Sequence, residues 1–193
     1  MSETPLIQGI KLGAVRGERV LFRDMSVTAR AGDLILLRGA NGSGKTTLLR
    51  QLAGLSPPQA GQVARTQAHH WIGHTNGLKA HETPRSHLAH WARVWGSETD
   101  ISAILKEMGL RKPSEVPSGM LSAGQKRRTA LARLKLIERK LWLLDEPFNA
   151  LDSDGQAQLA EMIERHRATG GAIIAALHGD APIESSGEVV IKP

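Results

Sequence analysis

Two stretches of this 193-residue chain carry residue types that handle phosphate, and a third becomes relevant beside them. Gly39-Ala40-Asn41-Gly42-Ser43-Gly44-Lys45-Thr46-Thr47 lies between the apolar run Leu34–Leu37 and a helical stripe of Leu48, Leu49 and Leu52. In a strand, glycine-rich loop and helix start of this kind, backbone N–H groups turn inward around phosphate oxygens, and the helix N-terminus adds partial positive charge. Lys45 is expected to reach the β- and γ-phosphates of a nucleotide. Thr46 is expected to ligate Mg²⁺ through its hydroxyl, and Thr47 to lie near the α-phosphate. A glycine-rich connection that binds nothing would need neither the lysine nor this setting.

The second stretch is acidic. Leu141-Trp142-Leu143-Leu144 reads as a buried strand that carries Asp145 and Glu146 out at its carboxyl end, where open α/β sheets bind ligands. Asp145 suits the water shell of Mg²⁺, and Glu146 suits accepting a proton from, or orienting, a water that attacks the γ-phosphate. Two solvated surface acids are the plainer reading, but a phosphate loop demands an acid in this place. His178 follows the apolar run Ala172–Leu177 in a comparable position and is expected to sense the γ-phosphate.

The third stretch is Leu121-Ser122-Ala123-Gly124-Gln125. By itself it is a serine-capped helix start. Alongside the other two it becomes a second anion receptor, since a hydroxyl and free N–H groups at a helix start need no lysine.

Short unbroken apolar runs at Leu34–Leu37, Leu141–Leu144 and Ala172–Leu177 are the pattern of central strands covered on both faces. Helical stripes alternate with them, which argues an α/β fold with a mostly parallel central sheet. Strand-like pieces at Ile7–Leu12, Val20–Phe22 and Ser26–Ala29 predict a small antiparallel layer. Between Gly77 and Gly119, Leu88, Trp91 and Trp95 form one helical stripe and Ile101, Ile104, Leu105 and Met108 another, so this region reads as a helical insertion.

The length suits one domain. The net charge of +6 and pI of about 10.1 suit an acidic partner without choosing among nucleic acid, membrane surface or protein. The absence of cysteine excludes disulfides, thiolate metal sites and heme attached through Cys-x-x-Cys-His. The start of the chain does not read as a secretory signal, and its apolar runs fall short of the roughly 18–20 residues that cross a bilayer. The six histidines between His69 and His90 show no ligand spacing, and Lys126-Arg127-Arg128 reads as a solvated face.

The order of the three stretches, with Asn149-Ala150-Leu151-Asp152 and His178 after them, resembles the nucleotide-binding subunit of ATP-binding cassette (ABC) transporters over the whole chain. The resemblance implies a P-loop NTPase fold, one ABC ATPase domain over residues 1–193 with a helical subdomain at about 77–125, and ATP and Mg²⁺ as ligands. It implies a partner in a second copy of the chain, whose Ser122, Gly124 and Gln125 bind the γ-phosphate of ATP held by the opposite subunit, with Asn149–Asp152 linking the two sites. It further implies integral membrane transporter subunits docking on the insertion, ATP hydrolysis coupled to transport, and a peripheral position on the cytoplasmic face of the bacterial inner membrane. Nucleic acid is not expected as a partner.

Three positions depart from the family pattern. Arg16 stands near the place of the adenine-stacking aromatic, in a chain with no tyrosine; Thr75 takes the place of a Mg²⁺-contacting glutamine; and Ala123 replaces a more usual glycine. Trp71-Ile72-Gly73-His74 with Gly77-Leu78-Lys79, and Trp142 through Phe148, are similar to the heme exporter ATP-binding subunits of cytochrome c maturation, which implies heme export or release of heme to a chaperone, with no heme contact by this chain. Another small ABC exporter, a soluble ATP-dependent assembly switch and a small P-loop kinase are the alternatives. The kinase would leave Leu121–Gln125 and Asn149–Asp152 without purpose.

Overall fold

Along the chain the elements run β1 (Ile7–Arg16), β2 (Arg19–Ala29), β3 (Leu34–Arg38), α1 (Lys45–Leu52), β4 (Ala60–Arg65), β5 (His69–Ile72), α2 (Pro84–Trp95), α3 (Ile101–Glu107), α4 (Ala123–Ala132), β6 (Leu141–Asp145), α5 (Ser153–Ala168), β7 (Ala172–Ala176) and β8 (Gly187–Val190). The computed structural model describes residues 4–179 and 182–191. It divides into a sheet unit, made of the chain up to His74, Arg139–Pro147 and the chain from Leu159, and a helical unit, made of Thr75–Glu138 and Phe148–Gln158.

In the sheet unit five strands run parallel in the order β5-β6-β7-β3-β8. Every residue of β6 and β7 is buried, which is why both read as unbroken apolar runs. The register carries the functional consequence: Asp145 pairs with Ala176, and Ala176 with Leu37. The acid therefore emerges level with the end of β3, two residues before the phosphate loop begins.

The predicted antiparallel layer is present as a three-stranded sheet, β2-β1-β4. Its first strands are longer than the sequence pieces indicate, because β1 and β2 are continuous strands bent by register shifts, with Lys11 and Asp24 at φ 49° and 51°. β4 escapes pattern reading because it is an exposed edge strand with only Val63 half-buried. Ile7, Leu12 and Phe22 of this layer, Leu48, Leu49 and Leu52 of α1, and Leu143 and Ile174 of the parallel sheet share one core. That core fixes the start of α1 against β6.

Behind the sheet, the Trp142 and His166 rings stack at 3.9 Å between centroids and 12° between planes. Gly171 lies under His166, and a Cβ there would fall within 3 Å of three atoms of the imidazole.

In the helical unit the starts of α2, α3 and α4 are each closed by a side chain. Thr83 and Ser86 form a reciprocal capping box on α2, and the Asp100 carboxylate accepts from the Ser102 N–H on α3. α2 packs on α3 and α4, burying Leu88, Ile104, Leu105 and Met108. Trp91 and Trp95 are only half-buried and lie tilted 4.9 Å apart, while the Arg133 guanidinium sits 5.4 Å from the Trp91 ring centre. Burial pushes Arg133 down to about 10.

His87 is buried, with Nδ1 3.1 Å from the Glu82 carboxylate. Burial lowers the histidine below its ordinary 6.5 and outweighs the carboxylate's opposing pull. For Glu82, burial would raise the carboxyl, but hydrogen bonds from His87 and the Lys79 N–H win and hold it low.

Two predictions follow from this packing. Because His166 is clamped by Trp142 and cannot step aside, Gly171→Ala should cost about 1–3 kcal/mol, read as a lower urea midpoint of the full chain. Since His87 binds a proton more readily in the unfolded chain, folding free energy should be retained above pH 6.5 and decline as pH falls below it. His87→Gln should flatten the fall in denaturation midpoint between pH 7 and pH 5; an unchanged slope would assign that fall to other groups.

Candidate functional site

The phosphate loop leads from β3 into α1 through Gly44, the helix N-cap, at φ 108°. A Cβ on Gly44 would lie 3.0 Å from the Phe22 ring, so the left-handed backbone and the close aromatic both call for glycine. Gly44 also has no side chain with which to cap the helix, so no side-chain acceptor takes up the N–H groups of the first turn. Lys45 is buried, and its ammonium donates to the Gly39 carbonyl at 2.7 Å and the Ala40 carbonyl at 3.2 Å. The buried Ser43 hydroxyl has no hydrogen-bond partner among the described residues. A cradle with this many donors fits a chain of phosphates.

At the helix start the Thr46 hydroxyl donates to the Asp145 carboxylate at 2.9 Å. Asp145 is 1% exposed. Burial raises its carboxyl above the ordinary range, opposed by the hydrogen bond from Thr46 and by His74. One hydroxyl beside one buried carboxylate is a partial cation site. Among the described residues no group of three or more His, Cys, Asp or Glu is arranged to hold a metal. A cation here would complete its shell with water and phosphate oxygens, which is how Mg²⁺ is held beside nucleotides.

Glu146, half-buried, follows at φ 52°, with its N–H donating to the Ala176 carbonyl at 2.9 Å. A non-glycine residue in the left-handed region is a strained conformation of the kind that gathers at functional sites. It turns the Glu146 side chain from the line of β6 into a cleft of about 520 Å³, which Asn41, Gly42, Gly44, Lys45, Thr46 and Thr47 also line. Arg16 lines the same cleft. His178 is exposed just past β7 and is not among the lining residues.

Three further cleft residues, Leu21, Arg50 and His74, escape sequence reading. Arg50 had a signal available, since it lies one helical turn after Thr47. His74 lies two residues past β5, a four-residue strand too short to announce itself.

Ser122, Gly124 and Gln125 belong to the helical unit. Ser122 is the N-cap of α4: its hydroxyl accepts from the Gln125 N–H at 3.2 Å, and the Gln125 side-chain carbonyl accepts from the Ser122 N–H at 3.0 Å. A Cβ on Gly124 would fall 2.8 Å from the Ala150 carbonyl, so this glycine lets α4 approach the Asn149–Asp152 segment. The contact continues through Arg128, which pairs with Asp152, while the Gly155 N–H donates to the same carboxylate oxygen at 3.0 Å. That N–H, and then Arg128, hold the Asp152 carboxyl below its ordinary range. Thr75 is exposed in the same unit and shares a cavity of about 380 Å³ with Asn76, Gly77, Ser118 and Lys126.

Comparison with known proteins agrees with this geometry. Residues 22–149 match the family model described as ABC transporter. The chain is 54% identical over 191 residues to the cytochrome c biogenesis ATP-binding export protein CcmA of Hyphomonas neptunium, covering 99% of each chain. The protein of the same name from Maricaulis maris is 41% identical over 186 residues, covering 91% of this chain and 86% of the relative. Among solved structures, a putative ABC transporter ATP-binding protein from Pyrococcus furiosus superposes with a TM-score of 0.80 at 19% identity, covering 96% of both chains. An inward-facing putative metal-chelate type ABC transporter superposes with a TM-score of 0.80 at 21% identity, covering 98% of this chain and 80% of the other. A chain with this loop, this buried acid and these relatives belongs to the ABC transporter family, as an ATP-binding, ATP-hydrolysing subunit.

Proposed function

We propose that this protein is the ATPase of a membrane transporter complex that serves cytochrome c biogenesis, powering heme export or the release of heme to a chaperone. The observation that carries the ATPase part is the Thr46–Asp145 hydrogen bond beside the phosphate loop. The cytochrome c biogenesis ATP-binding export protein that is 54% identical to this chain over nearly its whole length supports the biogenesis part. No helix among the described residues is long and apolar enough to cross a membrane. In this reading partner subunits form the membrane path, and the chain sits peripherally at the cytoplasmic face.

In this reading the N–H groups of Gly39 to Thr47 and the Lys45 ammonium bind the β- and γ-phosphates of ATP. Thr46 and Asp145 hold Mg²⁺, which when bound neutralises charge on those phosphates. Glu146 orients a water and takes its proton as the water oxygen bonds to the γ-phosphorus and the bond to the bridging oxygen of ADP breaks. His178 reaches the γ-phosphate once the site closes. Closure comes from a second copy, whose Ser122 hydroxyl, Gly124 N–H and Gln125 meet that phosphate from the opposite side. Gln125 already braces Ser122 through the capping box, so the hydroxyl is held at the helix start. The binding energy of two ATP molecules between two copies moves the membrane partner, and hydrolysis resets it.

Glu146→Gln should keep ATP binding, accumulate an ATP-dependent dimer on size exclusion, and lose turnover by roughly 100-fold or more. Turnover at the wild-type rate would remove Glu146 from the role of base. Cells that carry only this variant should accumulate cytochrome c without heme, and normal heme attachment in them would separate the protein from that pathway. Asp145→Asn should still bind ATP without Mg²⁺ and lose the gain in affinity that Mg²⁺ gives, measured by calorimetry with and without the metal.

A further inference from the structure

Just ahead of α4 the chain is strapped to the turn that precedes α2. The Ser118 N–H donates to the Glu82 carbonyl at 2.7 Å, the Ser118 hydroxyl to the Lys79 carbonyl at 2.7 Å, and the Gly119 N–H to the Ala80 carbonyl at 2.9 Å. A Cβ on Gly119 would come within 3.3 Å of that Ala80 carbonyl, so the two stretches lie close together. The Leu121 N–H then donates back to the Ser118 carbonyl at 3.2 Å, and the next residue, Ser122, is the N-cap of α4. The strap at Ser118 and Gly119 therefore sets where the Ser122 hydroxyl is delivered.

The turn under the strap has an anchor of its own. The Glu82 carboxylate accepts from the Lys79 N–H at 3.2 Å and lies 3.1 Å from Nδ1 of His87, which ties the turn to α2. With a carboxylate at Nδ1, the neutral ring carries its proton there and donates it. His87 is 2% exposed, and its other nitrogen, Nε2, is buried with no hydrogen-bond partner among the described residues. The charged or titratable groups that act on the imidazole are Glu82 from the turn, His90 from α2 and Arg133 from the stretch that follows α4. The Trp91 ring stands edge-on to it at 6.4 Å.

Resting on the two-copy ATP site proposed above, we infer that the Glu82–His87 pair positions the Ser122 helix start: neutral His87 keeps the strap closed, and a proton on Nε2 opens it and weakens the grip of one copy on the ATP of the other. The added N–H would be buried without an acceptor and within reach of the Arg133 charge, so proton uptake favours an arrangement in which the ring meets water. Burial outweighs the attraction of Glu82 and holds the imidazole below its ordinary 6.5, so the strap is intact above pH 6.5 and loosens as pH falls below it. Glu82, held low by its hydrogen bonds, keeps its charge as His87 titrates.

The test uses the full chain in the Glu146→Gln background with Mg²⁺ and ATP. Sedimentation reads the dimer dissociation constant, and polarisation of a fluorescent ATP analogue, at chain concentrations below that constant, reads binding to the phosphate loop alone. At pH 7, His87→Leu should raise the dimer constant by at least about threefold, part of the roughly tenfold that a hydrogen bond to a charged group is worth, and leave nucleotide binding to the dilute chain unchanged. His87→Asn, whose amide can donate near the place of Nδ1 and does not titrate, should dimerise more tightly than His87→Leu. From pH 7 to pH 5 the dimer constant should rise at least about threefold more with His87 than with His87→Asn. A smaller effect of His87→Leu, an equal loss of nucleotide binding in the dilute chain, no gain from asparagine, or the same pH dependence with and without the imidazole would each overturn the positioning role. If His87→Leu does not fold, the comparison of histidine with asparagine across pH decides alone. A Glu146→Gln chain that binds ATP at pH 7 and forms no dimer would instead refute the two-copy reading, and this inference with it.

Discussion

A single hydrogen bond, from the Thr46 hydroxyl to the Asp145 carboxylate at 2.9 Å, ties the start of α1 to the end of β6. It is a costly arrangement, because Asp145 is buried and burial disfavours its charged form. Much of the sheet unit can be understood as what keeps those two groups together. The parallel register holds Asp145 level with Leu37, and the apolar cluster of Leu48, Leu49, Leu143 and Ile174 stops α1 from sliding on the sheet. A carboxylate so placed gains most from a cation that replaces the water it has lost, which is why stability and ligand chemistry meet at this pair.

The helical unit obeys a different constraint. Its helices α2, α3 and α4 are short, and each is closed at its start by Thr83, Asp100 or Ser122. α4 is further tied to the Asn149–Asp152 segment by the close approach of Gly124 to Ala150 and by the Arg128–Asp152 pair. Any displacement of Ser122 must therefore carry that segment with it.

Much of this was legible in the chain. Lys45, Asp145 and Glu146 stand out because each follows an unbroken apolar strand, and buried parallel strands leave that signature in sequence. β4 and β8 do not stand out, since edge strands exposed on one side lose the pattern. Leu88, Ile104, Leu105 and Met108 are buried as their helical spacing implies, whereas Trp91 and Trp95, in the same stripe, are half-buried and held by each other and by Arg133. Periodicity reports which face turns inward, not how deeply. Arg50 and His74 were hidden for another reason. Their place in the cleft follows from one helical turn past Thr47 and from the pairing of β5 with β6, and neither is a local motif.

Two helix starts, α1 and α4, are the anion receptors proposed for this chain, and their caps differ in a way that matches the tasks proposed for them. At α1 the cap is Gly44, so the first-turn N–H groups face a ligand without an internal competitor, and the nearby Lys45 adds full positive charge. At α4 the Ser122 hydroxyl accepts the Gln125 N–H, leaving the hydroxyl proton and the N–H groups of Ala123 and Gly124 for an outside oxygen. With fewer donors and no lysine at its cap, α4 is the weaker receptor. In the two-copy reading proposed above, a weak receptor on one copy and a strong one on the other would give an order of events: ATP would bind first to the loop, and only then present a γ-phosphate that the second copy could grip. In that reading the difference between a glycine cap and a serine cap would make association of the two copies depend on nucleotide already bound.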